Sequence, residues 1–188
     1  MPKILLHSCC APCGGQVINE LKAQGFEVTV FFYNPNIFPI EEYEIRKNEI
    51  EKFCQSQNVE FIAEDYNHKK WLEFIKGLEK EPEGGPRCFK CYEFRLQETA
   101  KYAKENNFEY FASTLSISPH KNAEKINEIG REVVFSLLTG DVMPHLIFYE
   151  ADWKKHDGFK KSCELSKTHN FYRQKYCGCE FSFHLSTL

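Results

Sequence analysis

Seven of the chain's nine cysteines fall in three tight groups, and this constrains the fold and chemistry more than any other feature: Cys9, Cys10 and Cys13; Cys88 and Cys91; Cys177 and Cys179. The N-terminus, MPKILLHSCC, lacks both the long apolar core and the small-residue cleavage site of a secretory signal, so a cytoplasmic location is expected. A reducing compartment disfavours structural disulfides and leaves metal binding or redox chemistry as the usual work of clustered thiols. The odd count also argues against complete pairing, and the chain reads as disulfide-free. Cys54 and Cys163 stand alone in segments of helical pattern and are expected to be small buried apolar residues. Packing alone does not account for the other seven.

At 188 residues and 42% hydrophobic, the chain can bury one core, and a single domain over 1–188 is expected. Charged residues make up 27%, the formal net charge is -3, and no apolar run approaches bilayer length, so no membrane partner is expected. Apolar patterning predicts strands over 3–7, 26–33, 58–64, 110–115 and 146–149. Helices are predicted over 15–23, 40–57, 71–78, 88–106 and 121–129, with Gly130 just beyond the last. Alternating strands and helices imply right-handed crossovers and a parallel sheet with helices on both faces, a Rossmann-like α/β layout with a cysteine-bearing C-terminal extension. Active sites of such sheets lie beyond the carboxyl ends of the strands, and the first cysteine group directly follows the first strand.

Adjacent residues of an extended segment point to opposite sides, so Cys9 and Cys10 are expected to face two centres. Cys10 with Cys13, and Cys88 with Cys91, form CxxC pairs that can curl four thiolates toward one centre. Cys177-Gly178-Cys179 places two thiolates on one side of an extended chain, and with Cys9 they make a three-thiolate set. By count, the four-thiolate set suits a 4Fe-4S cluster, a 2Fe-2S cluster or a structural zinc equally well. The three thiolates beyond those four favour a working site over a structural staple.

Other residues fall at the expected functional edge. His7 ends the first strand and reads as support for the cysteines. Ser116, Ser118, His120, Lys121 and Asn122 occupy a strand-to-helix loop able to hold a phosphate or base, or simply to cap a helix. Gly84, Gly85 and Arg87 fit either a close-approach loop over a nucleoside or an ordinary turn. From Asp152 to Lys175 basic residues outnumber acidic ones, with Trp153, Phe159, Phe171, Tyr172 and Arg173 interleaved. That pattern suits RNA phosphates and splayed bases as well as a solvated helix face.

At HSCCAPC, EPEGGPRCFKC, STLSISPHKN and YRQKYCGC the sequence resembles the QueH family of epoxyqueuosine reductases, nearly end to end. The resemblance implies a cobalamin-independent oxidoreductase that removes the epoxide oxygen of epoxyqueuosine at the wobble position of tRNA, leaving queuosine. It implies a Rossmann-type HUP fold carrying a 4Fe-4S cluster beside a mononuclear iron, with an external electron donor. Cys10, Cys13, Cys88 and Cys91 are then expected on the cluster, and Cys9, Cys177 and Cys179 on an iron with an open position and a Lewis-acid role. Some relatives carry aspartate at the position of Cys13. Two other readings are an ATP-dependent tRNA thiolation enzyme, since CCAPCGGQ keeps paired glycines where that class has its phosphate loop, and a non-catalytic zinc-binding RNA module.

Overall fold

The structure, a computed structural model, describes residues 1–137 and 146–183. Five strands, β1 (Lys3–His7), β2 (Glu27–Phe32), β3 (Glu60–Ala63), β4 (Tyr110–Ser113) and β5 (Ile147–Phe148), form one sheet in the order β3-β2-β1-β4-β5. Every neighbouring pair is parallel. Central strand β1 is apolar without alternation because both of its faces are covered, and Ile4, Leu5 and Leu6 are all fully buried.

Helices α1 (Ala11–Ala23), α2 (Ile40–Ser56) and α6 (Gly158–Thr168) cover one face, over Ile4, Leu6, Val28, Val30 and Phe32. Helices α3 (His68–Phe74), α4 (Pro86–Glu105) and α5 (Ala123–Ser136) cover the other, over Leu5, Phe31 and Phe111. A short helix, α7 (Glu180–Phe183), closes the described chain. Among the described residues no helix is long and apolar enough to cross a membrane.

Several boundaries differ from the sequence expectation for identifiable reasons. Helix α1 begins at Ala11 rather than Gly15, because extended Cys10 serves as its N-cap and a proline is well suited to a first turn. Cys13 therefore lies inside the helix. β4 stops at Ser113 and continues as a 3-10 turn, Thr114–Ile117, in which the Ser113 side chain accepts from the Leu115 amide.

Helix α5 does not stop at Gly130. The glycine is there for space, since a Cβ at this position would lie 2.3 Å from Cδ1 of buried Phe148. Gly130→Ala is expected to lower stability by about 1–3 kcal/mol through overpacking, despite the ~1 kcal/mol gained in helix propensity. Urea unfolding tests this, and an unchanged or raised midpoint would mean that the Phe148 ring swings aside freely.

Candidate metal centre

The parallel sheet brings the ends of β1, β2 and β4 to one edge, and the first thiol group forms there. Cys10 is extended (φ -173, ψ 161) and the chain turns into α1 at the next residue. The alternation expected of Cys9 and Cys10 is lost at that turn: their sulfurs lie 3.9 Å apart, and those of Cys9, Cys10 and Cys13 all lie within 4.8 Å of one another. Gln174 Nε2 donates to Cys10 Sγ at 3.1 Å.

Hydrogen bonds from Cys10 and Cys13 hold Cys9 well below the usual thiol range against the cost of burial, helped by the charges of Lys121 and Arg95. The bond with Cys13 draws Cys10 down, but the bond with Cys9 and burial carry it to about 12. Cys13 is raised by its bonds to Cys10 and Cys9 and by burial. The three sulfurs thus share protons among themselves, and a metal bound there would displace them.

A second set gathers around a narrow pocket lined by Cys88, Cys91, Cys177 and Cys179. Helix α4 opens at Pro86, so Cys88 and Cys91, three residues apart, share a face of its first turns. Gly84 takes a left-handed backbone (φ +84) that favours glycine and points its N–H at Cys88 Sγ, 3.2 Å away. Arg87 is buried and lines this pocket, with Nη1 donating to the carbonyls of Glu79 and Glu81.

The segment carrying Cys177 and Cys179 is strapped to the sheet edge. The Phe38 amide donates to the Gly178 carbonyl at 2.8 Å, and Ile37 bridges Cys179. Arg46, 1% exposed, donates Nη1 to the Cys177 carbonyl and Nη2 to the Tyr176 carbonyl, both at 3.2 Å. It is paired with Glu42 at 2.6 Å. Gly178 has φ +108, and a Cβ there would lie 3.0 Å from both Arg46 Nη1 and Ile37 Cγ1. Cys177 is held well below the usual thiol range by its hydrogen bond with Cys179 against burial, with Ser182 Oγ 3.0 Å away. The bond to Cys177, together with burial, raises Cys179.

Three polar atoms in the wall of this pocket are buried without a partner: Asn36 Oδ1, Trp71 Nε1 and Arg87 Nε. Two of them are N–H donors, which suits an occupant rich in thiolate or sulfide. The donor chemistry therefore fits an iron–sulfur group. The free space is about 20 Å³, room for one small occupant as the side chains stand, so a larger cluster requires the thiols to part.

A larger cavity of about 670 Å³ opens over Cys9, Cys13 and Cys177. Of the residues read from sequence, Ser118, His120, Lys121 and Arg173 line it. Ser116 does not reach it: the residue is 1% exposed and its hydroxyl donates to the Ala151 carbonyl at 2.9 Å. Asn122 caps α5 by accepting from the Lys125 amide. His7 is fully buried between Ser113 Oγ (3.0 Å) and the Tyr33 carbonyl (3.2 Å). A carbonyl only accepts, so Nε2 carries the proton, and burial followed by the Arg95 charge lowers its pKa to about 3.

Trp153 is also core, its indole N–H donating to the Ser113 carbonyl, and Phe171 packs edge-on against Phe53. Only Phe159 and Tyr172 of that aromatic set are well exposed. Cys54 is buried as expected. Cys163 is not: it is half-buried at the cavity wall, with Arg173 Nη2 3.6 Å from its sulfur, because α6 turns that face toward the opening. Sequence reasoning missed Glu83, Gln174 and Ser182 on the cavity wall. Glu83 and Lys121 line both cavities, and burial plus the nearby Cys177 push the Glu83 carboxyl up.

Fold and thiols together define a metal-binding α/β protein whose cysteines converge beyond the carboxyl ends of a parallel sheet. The sequence model of the family described as "Epoxyqueuosine reductase QueH" matches residues 4–184, and the chain belongs to that family of oxidoreductases. It is 44% identical over 180 residues to the epoxyqueuosine reductase QueH of Acinetobacter baylyi, covering 96% of this chain and 80% of that one. Identity to the Histophilus somni protein of the same name is 41% over 180 residues, covering 96% and 72%. With Thermotoga maritima QueH it is 35% over 187 residues, covering 97% and 91%.

Among solved structures, the fold is similar to a predicted subunit of tRNA methyltransferase from Methanocaldococcus jannaschii (TM-score 0.54, 10% identity, covering 99% of this chain and 84% of that one). It is also similar to the U34-tRNA thiolase NcsA from Methanococcus maripaludis with its 4Fe-4S cluster (TM-score 0.50, 14% identity, covering 99% and 63%). At these identities the likeness is one of fold.

Proposed function

We propose that this chain reduces epoxyqueuosine to queuosine in tRNA, in the cytoplasm, with a 4Fe-4S cluster, an adjacent iron and an external electron donor. The observation that carries the reading is the convergence of seven thiols, in two neighbouring sets, beside a cavity of about 670 Å³, within the usual size range for a small-molecule site. The strand order β3-β2-β1-β4-β5 supports the finer assignment to the HUP type.

The geometry favours a different division of the thiols from the one alternation predicts. Cys88, Cys91, Cys177 and Cys179, which share their pocket with the unpartnered donors Trp71 Nε1 and Arg87 Nε, would hold the cluster. Cys9, Cys10 and Cys13, with Cys9 and Cys13 on the cavity wall, would hold the iron. When bound, these groups supply the electrons and a Lewis acid. Deoxygenation of an epoxide takes two electrons and two protons and releases one water, leaving the alkene. The chain's own part is to deliver those protons and seat the nucleoside. Glu83 and Lys121 line both cavities and are the side chains placed for proton delivery, burial and the nearby Cys177 pushing the Glu83 carboxyl up. Ser118, His120 and Arg173 are placed to bind the nucleoside and its phosphate. Basic residues at the rim, with exposed Phe159 and Tyr172, offer the flanking RNA phosphate contacts and stacking surfaces.

The decisive experiment is anaerobic reconstitution with iron and sulfide, incubation with epoxyqueuosine-containing tRNA and a reductant, and nucleoside mass analysis. Queuosine without added ATP is expected. No queuosine would overturn the reading; modification that requires ATP, or colourless protein retaining only zinc, would point to the thiolation enzyme or the RNA module.

A further inference from the structure

Three arginines, Arg46, Arg87 and Arg95, lie almost fully buried close to the thiols, and they are balanced differently: Arg87 is held at the rim of the four-thiol pocket by the Glu79 and Glu81 carbonyls. Arg46 faces Glu42 in a buried ion pair at 2.6 Å. Arg95, on α4 and 3% exposed, has no carboxylate within ion-pair distance among the described residues. Its Nε donates to the Cys91 carbonyl at 3.1 Å and its Nη1 lies 3.5 Å from Asn34 Oδ1. Asn34 in turn donates Nδ2 to the Ser8 carbonyl at 2.8 Å, beside Cys9. The guanidinium thus sits between the two thiol sets, tied by backbone and amide groups that carry no charge.

A buried charge without a counter-charge is strongly unfavourable, and proteins keep one only where something compensates it. Burial works against the Arg95 charge; Cys91, Cys9, Tyr92 and Cys177 are the groups that favour it, three of them thiols assigned above to metal. Arg95 also lines the four-thiol pocket.

We infer that Arg95 is a fixed counter-charge for the thiolate-held iron group and makes that group easier to reduce. The inference rests on the reading that these thiols hold an iron–sulfur cluster. Each electron added makes such a group more negative, so a fixed positive charge beside it stabilises the reduced form more than the oxidised form. Arg95 acts through the cluster and touches no substrate; it is a tuning residue, placed where a water-facing lysine would be screened.

Parent protein, Arg95→Met and Arg95→Lys are loaded anaerobically with iron and sulfide and titrated against a series of redox buffers, followed by visible absorption and electron paramagnetic resonance. At the potential that half-reduces the parent, Arg95→Met is expected to show about a tenfold lower ratio of reduced to oxidised cluster, ~59 mV for a one-electron couple, while Arg95→Lys stays close to the parent. Should Arg95→Met fold but hold no cluster, Arg95→Gln takes its place in the titration.

Metal-free proteins are unfolded in urea alongside, so that the potential is read only from variants that fold like the parent. An unchanged potential in the loaded Met or Gln variant, or an equal shift in Arg95→Lys, overturns the inference and leaves the cluster reading standing. A parent protein that takes up no iron and sulfide overturns both.

Discussion

Arg46→Met is expected to lower the unfolding free energy by about 3–5 kcal/mol, because it leaves the Glu42 carboxylate buried without its partner. The Arg46 and Glu42 side chains are 1% and 9% exposed, and among the described residues the Tyr172 hydroxyl also donates to that carboxylate, at 2.7 Å. Iron bound per chain after reconstitution should fall by half or more. The same guanidinium supplies donors to the Tyr176 and Cys177 carbonyls, and without them the strap that presents Cys177 and Cys179 keeps its ties to Phe38 and Ile37 and the His68–Glu180 pair but loses the two at Cys177 itself and its neighbour. The double variant with Glu42→Gln separates the two effects. It should recover much of the stability, since the orphaned charge is gone, but not the iron, since the carbonyls still lack donors. Normal iron content in Arg46→Met would show that the strap needs no clamp.

Cys9→Ala and Cys177→Ala are expected to part company in colour while both fall to background turnover. Cys9 belongs to the compact triad on the cavity wall, so its loss should remove turnover and leave most of the visible absorption of the cluster. Cys177 belongs to the four-thiol pocket, so its loss should remove both. The division expected from backbone alternation puts Cys9 and Cys177 on the same iron and predicts that both variants stay brown. Absorption spectra of the two variants, normalised to protein, decide between these divisions. Full turnover in either would remove that cysteine from the chemistry.

The parallel sheet and the place of the site were legible because they rest on local signals: apolar runs such as Lys3–His7 and Glu27–Phe32, and a cysteine loop directly after the first strand. The CxxC at Cys88 and Cys91 was readable for the same reason, as spacing within one helix fixes the face. What stayed hidden depends on contacts remote in sequence. Arg46 sits in IEEYEIRKNEIEK, a charged helical pattern that reads as solvent-facing, and its carbonyl partners lie 130 and 131 positions away. The closeness of the Cys9 and Cys10 sulfurs was not legible because two-fold alternation holds only while the chain stays extended, and α1 begins at the next residue. Arg95 looks from sequence like any polar residue of α4; only the packed structure shows it buried without a carboxylate.

The strap also bears on the order in which the protein can be built. The last strand of the sheet ends at Phe148, so the sheet and five of the seven grouped thiols have all been synthesised before Cys177 and Cys179 leave the ribosome. A nascent chain at that stage can present a half-built basin, open where the strap will lie. Metal delivered then meets an unroofed site, whereas metal arriving after release has to displace a segment pinned by Arg46, Phe38 and Ile37.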